Sequence, residues 1–279
     1  MKIPKVSIGM PVFNGEKTLG QAIDSILKQT VVDFDLIISD NASSDRTQTI
    51  CNEYALLDNR IRYFRQNQNI GASANFCFVL NQAKSEYFMW AACDDNRSID
   101  FIEENLYFLE NHPEYIASTS PVRFENSEFN EYRMGDSPLS GPVSQRLIGF
   151  FSTWHANGRF YSLIRKEPLS ECSEIGKSYL GSDWTIVLDL LSRGKMNRIN
   201  SGWVVLGKEG FSNKRNIFKN SRSQTIEIFI PFWFLTKFVI KLLNDNKITH
   251  NEKVSVLFSL LKLNLRALYM SVKVSLKRK

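Results

Sequence analysis

The sequence predicts an α/β protein: a mostly parallel sheet flanked by helices on both faces, followed by a C-terminal helical appendage. Three observations carry that prediction. Short apolar runs alternate with segments of helical apolar period from Val6 to Leu109. Polar residues follow three of the apolar runs (Asn14, Asp40-Asn41 and Asp94-Asp95), where sheets of this kind bind ligands beyond the carboxyl ends of their strands. The composition, 43% hydrophobic and 23% charged over 279 residues, is that of a folded globular chain.

The elements follow in order. Val6 to Met10 is a short buried strand ended by Pro11. Leu19, Ala22, Ile23, Ile26 and Leu27 mark one face of a helix between Gly15 and Gln29. Phe34 to Ser39 is a second strand. Ser43-Ser44-Asp45 supplies capping side chains for a helix through Ile50, Tyr54 and Leu57. Ile61 to Phe64 is a third strand, Gly71 to Ala83 a helix, Tyr87 to Ala92 a fourth strand, and Phe101 to Leu109 a helix. Beyond residue 112 the pattern loosens. Tyr115 to Phe124 and Phe160 to Arg165 read as strands, Ser182 to Arg193 as a helix, Trp203 to Leu206 as a strand, and Gly207 to Ser223 as a polar loop. The expected division is an α/β domain over 1–223, in two halves meeting at about residue 112, and a basic tail over 224–279.

Several chemistries are disfavoured at the outset. The first strand–helix turn carries neither GxGxxG nor GxxxxGK[ST], against a dinucleotide-binding oxidoreductase or a P-loop ATPase. The four cysteines are scattered and the three histidines lack ligand spacing, so any metal is expected on oxygen ligands. The cysteine usage fits a reducing compartment, and the N-terminal residues lack the apolar run of a secretion signal.

Asp94-Asp95, two adjacent carboxylates at a strand end, suits Mg²⁺ or Mn²⁺ shared with substrate phosphates, or else a solvated turn capping the next helix. Phe13, just past the first strand, can stack on a nucleobase or staple the helix behind it. Asp40 can accept from a base or ribose, or close an Asx turn. Asn69-Ile70-Gly71 can offer close backbone approach or simple capping. Asp183, in the first turn of its helix, is either a general base or an acid favoured by the helix dipole. Glu174 and Asp189 are weaker candidates. Trp154, Trp184 and His155 can touch a sugar, but such residues more often belong to a core.

Taken together, Ser7 to Gly15, Ile38 to Thr47, Asn69-Ile70-Gly71 with Asn75, and Cys93 to Asn96 resemble the family 2 glycosyltransferases in order and spacing. The resemblance covers about residues 4–110 and implies a GT-A (Rossmann-like) fold and inverting transfer from a nucleotide-diphosphate sugar, a UDP-sugar being the leading candidate. It implies that Pro11 and Phe13 line the base pocket and Asp40 binds the base. Asn14, Asn69, Gly71 and Asn75 join the donor site, and Asp94 lies against ribose or metal. Asp95 becomes the main ligand of Mg²⁺ or Mn²⁺. Many members carry a further Asp where this chain has Ala92, which leaves the division of labour between Asp94 and Asp95 open. Gly181-Ser182-Asp183-Trp184 is similar to the family's acidic motif, which makes Asp183 the catalytic base. Lys208, near Lys214 and Arg215, is carried over as a diphosphate contact. A sugar nucleotidyltransferase and a non-catalytic scaffold are the rival readings; the first lacks a Gly-rich basic loop, and Ala92 alone supports the second.

The net charge of +6 is not spread evenly. Ten basic residues and two acids lie between Lys237 and Lys279, so the tail carries +8 and the rest of the chain −2. A nucleic-acid surface on the body is therefore not expected. At 100° per residue, Val254, Leu257, Phe258, Leu261, Leu265, Leu268, Val272 and Leu276 share one face. A stripe of Lys262, Arg266, Lys273 and Lys277 separates it from a second apolar face of Val256, Leu260, Leu263, Met270 and Val274. One face can lie on Thr225 to Leu243. The second face with the stripe is expected to meet an anionic membrane surface, with a homodimer contact as the alternative. The expected setting is the inner face of the cell membrane, peripherally bound, with a glycan or lipid-linked acceptor.

Overall fold

A computed structural model of the chain describes residues 2–152, 155–207, 224–245 and 248–276. Trp154, Lys208, Lys214, Arg215 and Lys277, all named from the sequence, lie outside the described residues.

The first half alternates as expected: β1 (Val6–Val12), α1 (Leu19–Leu27), β2 (Phe34–Asp40), α2 (Thr47–Leu57), β3 (Ile61–Arg65), α3 (Ala72–Gln82), β4 (Tyr87–Trp90), β5 (Asn96–Arg97) and α4 (Phe101–Asn111). The second half comprises β6 (Tyr115–Thr119), β7 (Val122–Phe124), α5 (Glu131–Met134), α6 (Val143–Phe151), β8 (Leu163–Arg165), α7 (Lys166–Ser170), α8 (Ser182–Arg193), β9 (Lys195–Arg198) and β10 (Val204–Leu206). The tail adds α9 (Trp233–Asp245) and α10 (His250–Leu276). A seven-stranded sheet runs in the order β3-β2-β1-β4-β8-β6-β9, and a three-stranded sheet in the order β5-β10-β7. In the large sheet only β8 runs against its neighbours, β4 and β6.

Alternation along the strands builds two cores. Ile8, Met10, Leu36, Ile38 and Met89 point to the side of α1, α2 and α4. Ile37, Phe88 and Trp90 point to the other side, where α3, α6, α8, α9 and α10 share one apolar cluster. Both faces are covered, which is why these strands read as apolar runs.

Three readings of the sequence need correction. Pro11 does not end the first strand. It pairs with Ser39 of β2, and its missing N–H falls on the β4 side, where the β1–β4 pairing has already stopped at Gly9. The Tyr115–Phe124 run is two strands in two sheets, broken at Ser120-Pro121, and only β6 stays with the large sheet. Of Phe160–Arg165 only Leu163–Arg165 is strand. Gly158–Tyr161 is a 3₁₀ turn that lays Phe160 flat on Trp90, ring centroids 4.5 Å apart.

In α10 the structure exchanges the roles of the two apolar faces. Val256, Leu260, Leu263 and Ala267 are the buried ones, packed with α6 and α9. The face of Leu257, Phe258, Leu261 and Leu265 is the exposed one.

Candidate active site

The parallel strands β1, β2 and β4 are neighbours, so their carboxyl ends bring the β1–α1 loop, the β2–α2 loop and Asp94-Asp95 to one edge. The first two loops are tied together by side chains. Asn14, at φ 53°, accepts from the Ser44 amide at 2.9 Å, while its own N–H donates to Ser43 Oγ at 2.8 Å. Gly15 N–H donates to Thr47 Oγ1, Glu16 N–H to Asp45 Oδ2, and Arg46 N–H to Glu16 Oε2. Phe13 rides on this braced loop and is 49% exposed, so it does not staple α1. Its ring is available as a stacking face, while Pro11 is buried.

Asp40 is not open at the rim. It is fully buried, and its Oδ1 accepts from Ser43 N–H three residues on, one residue further than an Asx turn reaches. Its Oδ2 accepts from Tyr63 OH and from Arg65, which stands directly opposite on β3 and also donates to Ser43 O. Asp40 therefore braces the base-side wall, and the Arg65 guanidinium covers it. The sequence reading missed Arg65; the signal was its place at the last position of β3, level with Asp40.

Asn75 is likewise buried. Its amide accepts from Ser39 Oγ at 2.6 Å and donates to Ser39 O at 2.8 Å, clamping α3 to the end of β2. Asn69 accepts from Asn41 Nδ2 and from Gly71 N–H. Gly71 is exposed, at φ 86°, a conformation that L side chains rarely adopt, with open space where a Cβ would stand. Its backbone can be approached closely.

Asp94 and Asp95 differ in burial. Asp95 is 3% exposed. Its Oδ1 accepts from Gly207 N–H at 3.1 Å, and its Oδ2 has no hydrogen-bond partner among the described residues and lies 4.0 Å from Arg97 Nη2. Burial pushes the Asp95 carboxyl up to about 7; Arg97 pulls against that and Asp94 adds to it. Arg97 is itself buried, donating to Trp90 O, and among the described residues its Nε and Nη1 have no hydrogen-bond partner. Asp94 is the more exposed member. Gly207, at the end of β10, lies so close to it that a Cβ would sit 2.2 Å from Asp94 Oδ2.

No group of three or more His, Cys, Asp or Glu among the described residues could enclose a metal. Two adjacent carboxylates, one partly exposed and one with an orphaned oxygen, do fit a Mg²⁺-type ion that takes its remaining ligands from diphosphate and water.

The acceptor side is joined to this edge through the 3₁₀ turn. Trp90, four residues before Asp94, carries Phe160, and Asn157 at the start of the same turn donates to Asp183 Oδ2 at 3.0 Å. Tyr161 ends the same turn. Burial and the carboxylates of Asp95, Asp183 and Asp94 together push its hydroxyl well above the usual phenol range. Asp183 occupies the first turn of α8. Burial raises its carboxyl above the ordinary range, opposed by Asn157 and by the N–H groups of Trp184 and Asp183. A carboxylate held by one side-chain donor at a helix N-terminus and raised in pKa is a competent proton acceptor.

Other candidates fall away from this role. Glu174 is engaged by Tyr179 OH and Lys177, and Asp189 by Arg193. Trp184 is buried between His155 and Phe232. Both nitrogens of His155 face carbonyls, at 2.6 Å and 3.0 Å. These two rings are core.

The model of Glycosyl transferase family 2 matches residues 7–173, more than half of the chain. The chain belongs to that family. A Campylobacter jejuni relative named GalNAc(5)-diNAcBac-PP-undecaprenol beta-1,3-glucosyltransferase is 26% identical over 191 residues, 67% of this chain and 60% of the relative. The crystal structure of Staphylococcus aureus TarS 1-349 in complex with UDP-GlcNAc superposes with a TM-score of 0.71 at 15% identity, over 92% of this chain and 71% of that one. A Pyrobaculum calidifontis mannosyltransferase, PcManGT, in complex with GDP-Man and Mn²⁺, superposes with a TM-score of 0.62 at 14% identity, over 98% and 74%. These likenesses establish the GT-A fold for this family 2 chain. The chain spans 45%, 19% and 60% of the length of the first curated relatives that it matches.

Proposed function

We propose that the protein transfers a sugar from a nucleotide-diphosphate donor to a hydroxyl of a glycan or lipid-linked acceptor, with inversion at the anomeric carbon. The observation that carries this reading is the placement of Asp183. It is a part-buried carboxylate of raised pKa, held by Asn157 at the start of the 3₁₀ turn whose Phe160 stacks on Trp90, four residues before Asp94.

Asp183 takes the proton of the acceptor hydroxyl as that oxygen bonds to the anomeric carbon and the bond to the diphosphate breaks. A single displacement from the side opposite the leaving group inverts the centre. Phe13 offers a stacking face to the base, the Gly71 backbone allows close approach, and Asn14 holds the loop in place. Asp94, rather than the more deeply buried Asp95, is the carboxylate presented to Mg²⁺ or Mn²⁺, with Asp95 and Arg97 supporting it from beneath. Such an ion, when bound, neutralises charge on the departing nucleoside diphosphate. The solved neighbours described with UDP-GlcNAc and with GDP-Man and Mn²⁺ support a nucleotide-sugar donor and a divalent ion. The undecaprenol-linked substrate in the Campylobacter relative's name supports cell-envelope or glycan assembly.

The test separates chemistry from binding. Asp183→Asn is expected to lower transfer by about 10²–10⁴-fold while donor affinity, read by calorimetry with a UDP-sugar and Mn²⁺, stays unchanged. Transfer at the wild-type rate would overturn the assignment.

A further inference from the structure

Helix α10 presents an apolar face that the other described residues leave uncovered. Leu257, Phe258, Leu261, Leu265, Tyr269 and Val272 fall within a third of the helix circumference and are between 41% and 65% exposed. Along one flank of that face runs a basic row. Lys262 lies over the Phe258 ring at 4.3 Å and Lys273 over the Tyr269 ring at 5.9 Å, with Arg266 between them. Beyond Asp245 the sequence holds one acid, Glu252, and it is occupied by Ser144 Oγ and Thr249 N–H.

We propose that this face of α10 lies in the plane of an anionic lipid surface, with the apolar row among the acyl chains and the lysines at the headgroups. Charge complementarity selects that occupant. A basic row beside an apolar face matches phosphate headgroups over hydrocarbon. A second copy docked antiparallel through the same face would set one basic row beside the other, and the helix's one acid, Glu252, is already engaged by Ser144 and Thr249.

The lie of the helix is fixed by its other side. By length and composition alone, His250–Lys273 could cross a bilayer. Yet Val256, Leu260, Leu263 and Ala267 are built into the protein core. Asn264 between them accepts from Phe232 N–H at 3.0 Å and donates to Thr236 Oγ1 at 3.1 Å. Spanning would strip out that core; lying on the surface keeps it.

Co-sedimentation of the full chain with vesicles tests this without reference to transfer. The wild type is expected to pellet with phosphatidylcholine–phosphatidylglycerol vesicles, to release at high salt, and to bind phosphatidylcholine alone weakly. Lys262→Gln with Lys273→Gln should weaken binding to the anionic vesicles roughly 30-fold, about five-fold for each charge. Leu261→Glu with Leu265→Glu should abolish it. These positions are exposed, and unchanged circular dichroism melts would show that the variants fold. A wild type that stays in the supernatant, or a double-glutamate variant that still pellets, overturns the proposal. A dimer in analytical ultracentrifugation that Leu261→Glu with Leu265→Glu disperses, with no vesicle binding by the wild type, would instead assign the face to a second copy.

Discussion

Gly207 has no room for a side chain. A methyl there would stand 2.2 Å from Asp94 Oδ2, and the same residue's N–H is what Asp95 Oδ1 accepts. Gly207→Ala is therefore expected to displace the Asp94 carboxylate and to weaken metal-dependent donor binding at least as much as Asp94→Asn. Calorimetry with and without chelator reads both. His155 makes a different prediction. Burial, reinforced by Arg159, pushes its imidazole down to about 4. A histidine depressed in the folded state contributes stability that is fully present above its unfolded value near 6.5. That contribution is lost as pH falls toward 4, by about 1.4 kcal/mol per pH unit. Denaturant melts across that window should show the slope, and His155→Gln should flatten it.

At the scale of elements, the contact between α9 and α10 turns on one polar residue. Asn264 accepts the Phe232 N–H just before α9 and donates to Thr236 within it, in an otherwise apolar seam. Asn264→Leu would remove the acceptor of the Phe232 N–H and the donor to Thr236, and should cost about 1–3 kcal/mol in urea unfolding. The first-half elements were legible because their signals are local. Apolar period marked α1, where the buried residues are Leu19, Ala22, Ile23 and Ile26 as expected, and β1, β2 and β4 were apolar because both faces are covered. The second half was less legible. Nothing local distinguishes Tyr115–Thr119 from Val122–Phe124 except Pro121, since which sheet a short strand joins depends on partners far away in sequence. The two apolar faces of α10 are nearly equivalent in composition, so which one meets the protein was decided by α6 and α9.

At the scale of the whole molecule, the proposed donor edge and proposed base are brought together from Asn14, Asp94 and Asp183 by the large sheet and the 3₁₀ turn lying across it. A donor that binds this assembled site and not the unfolded chain should raise the melting free energy by about 2.7 kcal/mol at a hundred times its dissociation constant. A thermal-shift series of UDP- and GDP-sugars with Mn²⁺ measures that and ranks the nucleotides. A flat series would count against the donor reading.

The sequence by itself determined the alternation of elements, the loops that carry polar residues, the family resemblance and the concentration of positive charge in the tail. Each of those is written in short-range pattern. Only the tertiary structure decided that Asp40 and Asn75 are buried braces, that Asp95 is buried beside Arg97 while Asp94 is more exposed, and that Arg65 pairs with Asp40 and Gly207 crowds Asp94. A carboxylate or an amide has the same letter whether it meets solvent or a buried donor. What it can do depends on burial and on partners that only long-range packing supplies.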